Sequence, residues 1–265
     1  MKPYRSRTAG LVLGLALAAA GCGGEADPRP SPAPTAPSAP SAPAPPPAAA
    51  ESAPPPRSPA SRSPSRGSLL PSGYLPLWPF TDLADSRSFR ADEDGRWNLD
   101  AGATALAFTR SYLGLAGIDR VTSRSVGAVE ARIGVGYRAE GGALTAAVVH
   151  LFRAGGSPDG PWEVVGTDDT TLSLTTPSYG ARASSPVAVA GRITGVDENL
   201  RARLVHPHAG DPLGEYCCLP AGGRDARWRL ALPFTGGIEE VATLVVWTGG
   251  HVAEVERFAV TGIRP

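Results

Sequence analysis

The run His206-Pro207-His208-Ala209-Gly210-Asp211-Pro212-Leu213-Gly214-Glu215-Tyr216-Cys217-Cys218 gathers most of the chain's possible metal ligands. Two histidines one residue apart can point the same way from an extended segment, and imidazole with thiolate suits zinc or copper. Adjacent cysteines rarely ligate one ion together, however, and this spacing matches no known metal motif. A vicinal disulfide between Cys217 and Cys218 is therefore the first reading, free or differently paired thiols the second, and a metal held by His206 and His208 the third. A second set is His150 with Asp168 and Asp169, an acid and base to try in a pocket. Yet His150 stands between Val149 and Leu151, where a hydrogen-bonded or exposed strand residue is expected, and Asp168-Asp169 reads as a turn between strands. Gly-x-Ser-x-Gly, His-Glu-x-x-His, a phosphate loop and Cys-x-x-Cys are all missing, which removes each strong reason to propose catalysis. The expectation is a protein that is not an enzyme and needs no cofactor.

Two kinds of element have to position these groups. Asp100 can cap a helix whose apolar residues Leu106, Phe108, Tyr112 and Leu113 follow helical spacing, with Gly114 at its end. Then Val129, Ala131, Ile133, Val135 and Tyr137 alternate with Glu130, Arg132 and Arg138, the pattern of a half-buried strand. Further strands are expected at Leu144 to Arg153, Trp162 to Gly166 and Thr171 to Leu174, joined by Gly-rich turns. One helix and an antiparallel meander make an α+β domain over residues 73–176, the helix lying across the concave face of the sheet. That order of elements, with the Trp162-Glu163-Val164-Val165-Gly166 strand, resembles the cystatin or nuclear-transport-factor-like class. Domains of that class often hold a pocket between helix and sheet, which here would be lined by Phe108, Tyr112, Ile133 and Val148. Trp78, Phe80 and Trp97, ahead of the helix, read as lids on the core or as a binding platform.

Residues 177–265 read differently. Short strands about ten residues apart, separated by Gly, Pro and Asp, predict an all-β sandwich. Leu230, Leu232 and Phe234 share one face, as do Leu244, Val246 and Thr248, while Glu254, Glu256 and Arg257 are expected to look outward. Ser184-Ser185-Pro186-Val187-Ala188-Val189-Ala190-Gly191, followed by Val196-Asp197-Glu198-Asn199-Leu200-Arg201-Ala202-Arg203-Leu204-Val205, resembles the immunoglobulin-like domain of bacterial sporulation and spore-germination lipoproteins. The likeness covers roughly the last 80 residues and implies the sandwich fold. It carries no catalytic residues, and Asp197 falls at its acidic position as a strand-edge or turn residue. In those proteins the domain follows a germination-type domain, and here it follows the α+β one. The chain as a whole resembles uncharacterised lipoproteins of high-GC Gram-positive bacteria.

The N-terminal quarter does not read as a fold. Lys2, Arg5 and Arg7 precede the apolar run Leu11 to Ala20, a charged then greasy pattern typical of an export signal. The apolar run is about half of the ~20 residues a bilayer span requires. Leu17-Ala18-Ala19-Ala20-Gly21-Cys22 resembles a bacterial lipobox, which implies cleavage of residues 1–21 and acylation of Cys22 on its thiol and new amine. Two or more acyl chains anchor stably where one binds reversibly, so the expected location is the outer face of a membrane. Residues 22–66 then hold 15 of the 28 prolines among Ala and Ser, too little apolar surface for a core and a semi-rigid spacer by composition. Fully stretched polyproline II at ~3.1 Å per residue would carry it on the order of 100 Å. Lys and Arg together number 25 against 25 Asp and Glu, which leaves no long-range field to gather nucleic acid. The expected partners are the membrane through the lipid, and an envelope protein or the cell wall through the folded part. Small-molecule or lipid binding in the α+β pocket is the alternative.

Overall fold

Asp100 starts its helix as its position demands: its carboxylate accepts from Ala103 N at 2.7 Å, and α2 runs from Ala101 to Ala107. The helix widens into a π-type turn, Phe108–Tyr112, which Leu113 N closes on Phe108 O at 2.9 Å. Gly114, at φ +73°, ends it, a backbone angle that glycine adopts without strain. The computed structural model describes residues 68–89, 96–208 and 210–265; the expected signal 1–21, Cys22 and the tether to 66 lie outside them. A further short helix, α1 (Leu83–Ser88), is capped by Asp82 and precedes α2, so the helix after Asp100 is not alone.

The fold is mostly β, with two sheets. In the first, β1 (Arg120–Val126), β2 (Glu130–Ala139), β3 (Gly142–Arg153) and β4 (Trp162–Asp168) lie side by side in chain order, all antiparallel. Alternation along β2 sends Ala131, Ile133, Val135 and Tyr137 into the main core, and the register sets Leu151, Val149 and Ala147 beside the first three. Val148 stands opposite Gly134 instead and is only half-buried. With a side-chain period of two, it belongs to the face away from Ile133.

The strand expected at Thr171 to Leu174 exists as β5 (Leu172–Thr176), but it pairs with β7 in the second sheet and not with β4. That sheet also contains β6 (Ala181–Arg182), β7 (Val187–Val205), β8 (Gly214–Leu232), β9 (Ala242–Gly249) and β10 (Arg257–Arg264), in the order β5-β7-β9-β10-β6 with β8 on β7. In place of uniformly short strands, β7 and β8 each run 19 residues. One edge of β7 carries β8 throughout; the other carries β5 beside residues 190–193 and β9 beside residues 199–205. Register shifts between Ile193 and Glu198 turn the corner between these halves, since bulges bend a strand and let it pass from one layer to the next. The sheet therefore curls over Leu172, Val189, Leu200, Leu204, Leu230 and Leu244. The chain just after β8 returns to the chain just before it, where Thr235 N donates to Leu213 O at 3.0 Å.

Strand β9 is buried on both sides. Leu244 and Val246 face the interior of the curled sheet, whereas Val245 and Trp247 join Phe258 and Val260 of β10 in the core beneath α2. The two sheets thus share a wall. A strap ahead of α1 closes the β4 edge, with Leu77 N on Val164 O at 3.0 Å and Val164 N on Trp78 O at 2.8 Å. The Glu163 carboxylate, wholly buried, accepts from Trp78 N at 2.9 Å and Phe80 N at 3.0 Å. Tyr179 adds a clamp, receiving Leu75 N at 2.7 Å and donating to Val165 O at 2.9 Å. Glu256, expected to look outward, is 8% exposed and accepts from the backbone of His251 and Val252 at 3.1 and 2.7 Å. Gly250 N in the same turn donates to Ala253 O at 2.7 Å, and the carboxylate takes the N–H groups left without a strand to pair with.

Candidate functional site

The pocket expected between helix and sheet is occupied by the protein itself. Phe108 and Ile133 are fully buried and pack in one cluster with Trp247, Phe258 and Val260 from the second sheet. Tyr112 closes that core, its hydroxyl donating to Thr243 Oγ1 at 3.1 Å, and burial pushes its pKa well above the usual phenol value. The ring of Trp78 stacks between Trp97, 5.1 Å away, and Tyr112, 5.9 Å away. Trp78 is thereby consumed as a lid. Val148 contributes nothing to this space, because it is on the other face of β3.

His150 is on that other face too. Its Nε2 lies 3.0 Å from Glu130 Oε1, and its ring packs edge-on against Tyr74 and beside Phe152. Arg132 bridges Glu130, at 2.5 Å, and Asp168, at 3.1 Å. His150 and Asp168 therefore meet only through a guanidinium. Burial, and then the charge of Arg132, hold the imidazole below its usual pKa, so it is kept neutral inside a closed network. Asp169 is exposed beyond the end of β4. Acid and base are each spent on a neighbour.

The histidine and cysteine run is divided by the fold. His206 and His208 lie in the loop after β7, with Nε2 atoms 3.8 and 3.6 Å from Glu240 Oε2, longer than direct hydrogen bonds. Among the described residues no group of three or more such side chains is gathered to hold a metal ion. Cys217 and Cys218 instead belong to β8, both exposed, with their sulfurs in contact. Tyr216 pairs with Ala202 and Leu219 with Leu200, so the two cysteines oppose the single residue Arg201. The vicinal pair is the bulge.

A different feature stands at the corner of the β7–β8 hairpin, an open groove of about 1130 Å³. Its apolar part comes from Leu219, Pro220, Ala221 and Trp228, and its polar part includes Glu198, Asn199, Arg224, Arg227 and Arg229. Glu198 is 5% exposed; Oε1 is 3.4 Å from Arg257 Nη1, and Oε2 has no hydrogen-bond partner among the described residues. Trp228 is equally buried, and its Nε1 is likewise without a partner. Gly195 makes room for the acid, since a Cβ there would fall 2.7 Å from Glu198 Oε1. The three arginines are exposed. Asp225, the nearest acid in sequence, is held by Arg192 through both carboxylate oxygens, and that hydrogen bonding lowers its pKa. No motif in the sequence marks this region. Its visible trace is the alternation Arg227-Trp228-Arg229, cations outside and an aromatic inside, but the distance between Glu198 and Trp228 along the chain hides their joint place. Comparisons with protein family models, with curated proteins and with solved structures find no match to this chain.

Proposed function

We propose that this chain is a lipid-anchored, non-catalytic lipoprotein of the cell envelope whose folded part engages an envelope protein or the cell wall at a distance set by the Pro-rich tether. On this reading the first sheet with α2 is an α+β unit, and the curled sheet is an immunoglobulin-like sandwich whose layers are joined at a continuous corner. One observation carries the choice of an interaction protein over a pocket protein: Phe108 and Ile133, expected to line a pocket, pack in one cluster with Trp247, Phe258 and Val260, and Tyr112 packs against it. The candidate acid and base at His150 and Asp168 are tied to Glu130 and Arg132, which supports the absence of catalysis. Retention is assigned to acylated Cys22. Among the described residues no helix is long and apolar enough to cross a membrane, which fits an anchor made of lipid.

Replacing the acceptor thiol tests the anchor. Cys22→Ser is expected to move the protein from the membrane fraction to the soluble extracytoplasmic fraction, with its folded part still protease-resistant. Retention of the folded variant in the membrane would contradict the reading.

A further inference from the structure

We propose that the Cys217–Cys218 bulge is a thiol–disulfide exchange site on the outer face of the curled sheet, reduced by a dithiol and closed again by a disulfide oxidant while the fold around it stays in place. Consecutive residues of a regular strand point to opposite faces, so adjacent cysteines in a plain strand would be divided between interior and surface. The register of β8 prevents that. Tyr216 stands beside Ala202 and Leu219 beside Leu200, and both pack against the core of the curled sheet. With those two turned inward, the two residues between them, opposed by Arg201 alone, are both exposed, and their sulfurs are joined. The bulge keeps the pair together at the surface whether or not the bond is closed.

A structural role is the poorer match for this disulfide. A cross-link stabilises mainly by closing a loop of the unfolded chain, and its effect grows with the number of residues enclosed; a link between sequence neighbours encloses none. Nor does it tie two elements together, since both cysteines lie within β8, which its ladder to β7 already holds. What the position does provide is access. An attacking thiolate needs an exposed sulfur, and exposed disulfides are among the labile and regulatory ones. In the exchange, one thiolate of the dithiol attacks the Sγ of one cysteine, forming a mixed disulfide and releasing the other sulfur as a thiolate, which takes up a proton. The second thiol of the dithiol then attacks the mixed bond. The dithiol leaves as a disulfide, having lost two electrons and two protons, and Cys217 and Cys218 hold them as two thiols. The transfer is stoichiometric and goes beyond the envelope reading, on which it rests only for an oxidising compartment in which the bond persists.

The test is a count of alkylated thiols by intact mass in the full-length Cys22→Ser chain, kept in mild detergent. That chain has Cys217 and Cys218 as its only cysteines, so the count does not depend on whether Cys22 carries lipid. Iodoacetamide is expected to add no label after oxidised glutathione and two after dithiothreitol, through repeated cycles, with circular dichroism and the urea midpoint the same in both states. Because folding does not cover the sulfurs, dithiothreitol should reduce the folded chain within about threefold of its rate for the urea-unfolded chain. A further Cys218→Ser replacement removes the internal partner, and Cys217 should then retain one glutathione. Two labels or two glutathione adducts after oxidation, resistance to dithiothreitol until urea is added, reduction that unfolds the chain, or no adduct on the Cys218→Ser chain would overturn the proposal. Membrane retention does not enter this readout, so failure of the anchor reading and failure of the exchange site are separate results.

Discussion

Glu163 shows how single residues in this fold are assigned by distant backbone. In the sequence it is one polar residue in an apolar strand, and nothing local marks it. In the fold its two carboxylate oxygens hold the N–H groups of Trp78 and Phe80, more than 80 residues earlier, which pins the strap against β4. Burial drives its pKa well above the ordinary glutamate value near 4.5, and the two N–H donors only partly oppose that. A raised carboxyl pKa means that the folded state holds the proton to higher pH than the unfolded state does. Its contribution to stability is full below about pH 4.5 and is lost as pH climbs through the raised value. Chemical denaturation across that window should show stability falling with pH in the wild type and a flatter profile in Glu163→Gln; identical slopes would contradict the buried, proton-holding acid. Alternation misplaced Glu256 for a related reason, since its partners are turn N–H groups and a period of two says nothing about them. Val148 failed through a shift of one position, which in a strand exchanges faces.

At the scale of elements, what was legible came from local chemistry. Asp100 and Gly114 bracket the helix because a cap and a left-handed stop are properties of the residues themselves. β2 was legible from its alternation, and β3 and β4 from their spacing between Gly-rich turns. The long β7–β8 hairpin was not, because its corner is made by register shifts around Gly195, and a bulge appears in sequence only as a break between two short strands. β5 went to the wrong sheet for want of any local signal of its partner. Its contact with β7 depends on Gly191, where a Cβ would fall 1.8 Å from Ser173 O. Gly191→Ala must therefore push β5 from β7 and also shift Trp228, whose Cζ2 would be 2.7 Å from the new Cβ, and such overpacking costs about 1–3 kcal/mol. Urea denaturation should record a loss of that order, while a change within error would mean the two strands are not so closely apposed.

For the whole molecule, the decisive feature is the wall that the two sheets share. Val245 and Trp247 of β9 complete the core beneath α2, while Leu244 and Val246 complete that of the curled sheet. The division near residue 176 drawn from composition and turn signals accordingly cuts through one connected set of side chains, and no periodicity within either half could announce it. The same wall fills the space where a ligand pocket was expected, so contact with partners falls to the outer surfaces, among them the open groove at the hairpin corner. Function on this account is contact at a distance from the membrane, and the most direct test is to capture that contact. Lys2 is the chain's only lysine, so amine-reactive crosslinkers have no side chain to use in the folded part. A photoreactive benzophenone side chain in place of Arg227 at the groove, and in another variant in place of exposed Val126 on β1, would report instead. Irradiation of intact cells followed by mass spectrometry of the recovered protein is expected to give a recurrent envelope protein or cell-wall fragment attached at one of these positions. Adducts no different from those of an unrelated anchored protein, at both positions, would contradict it.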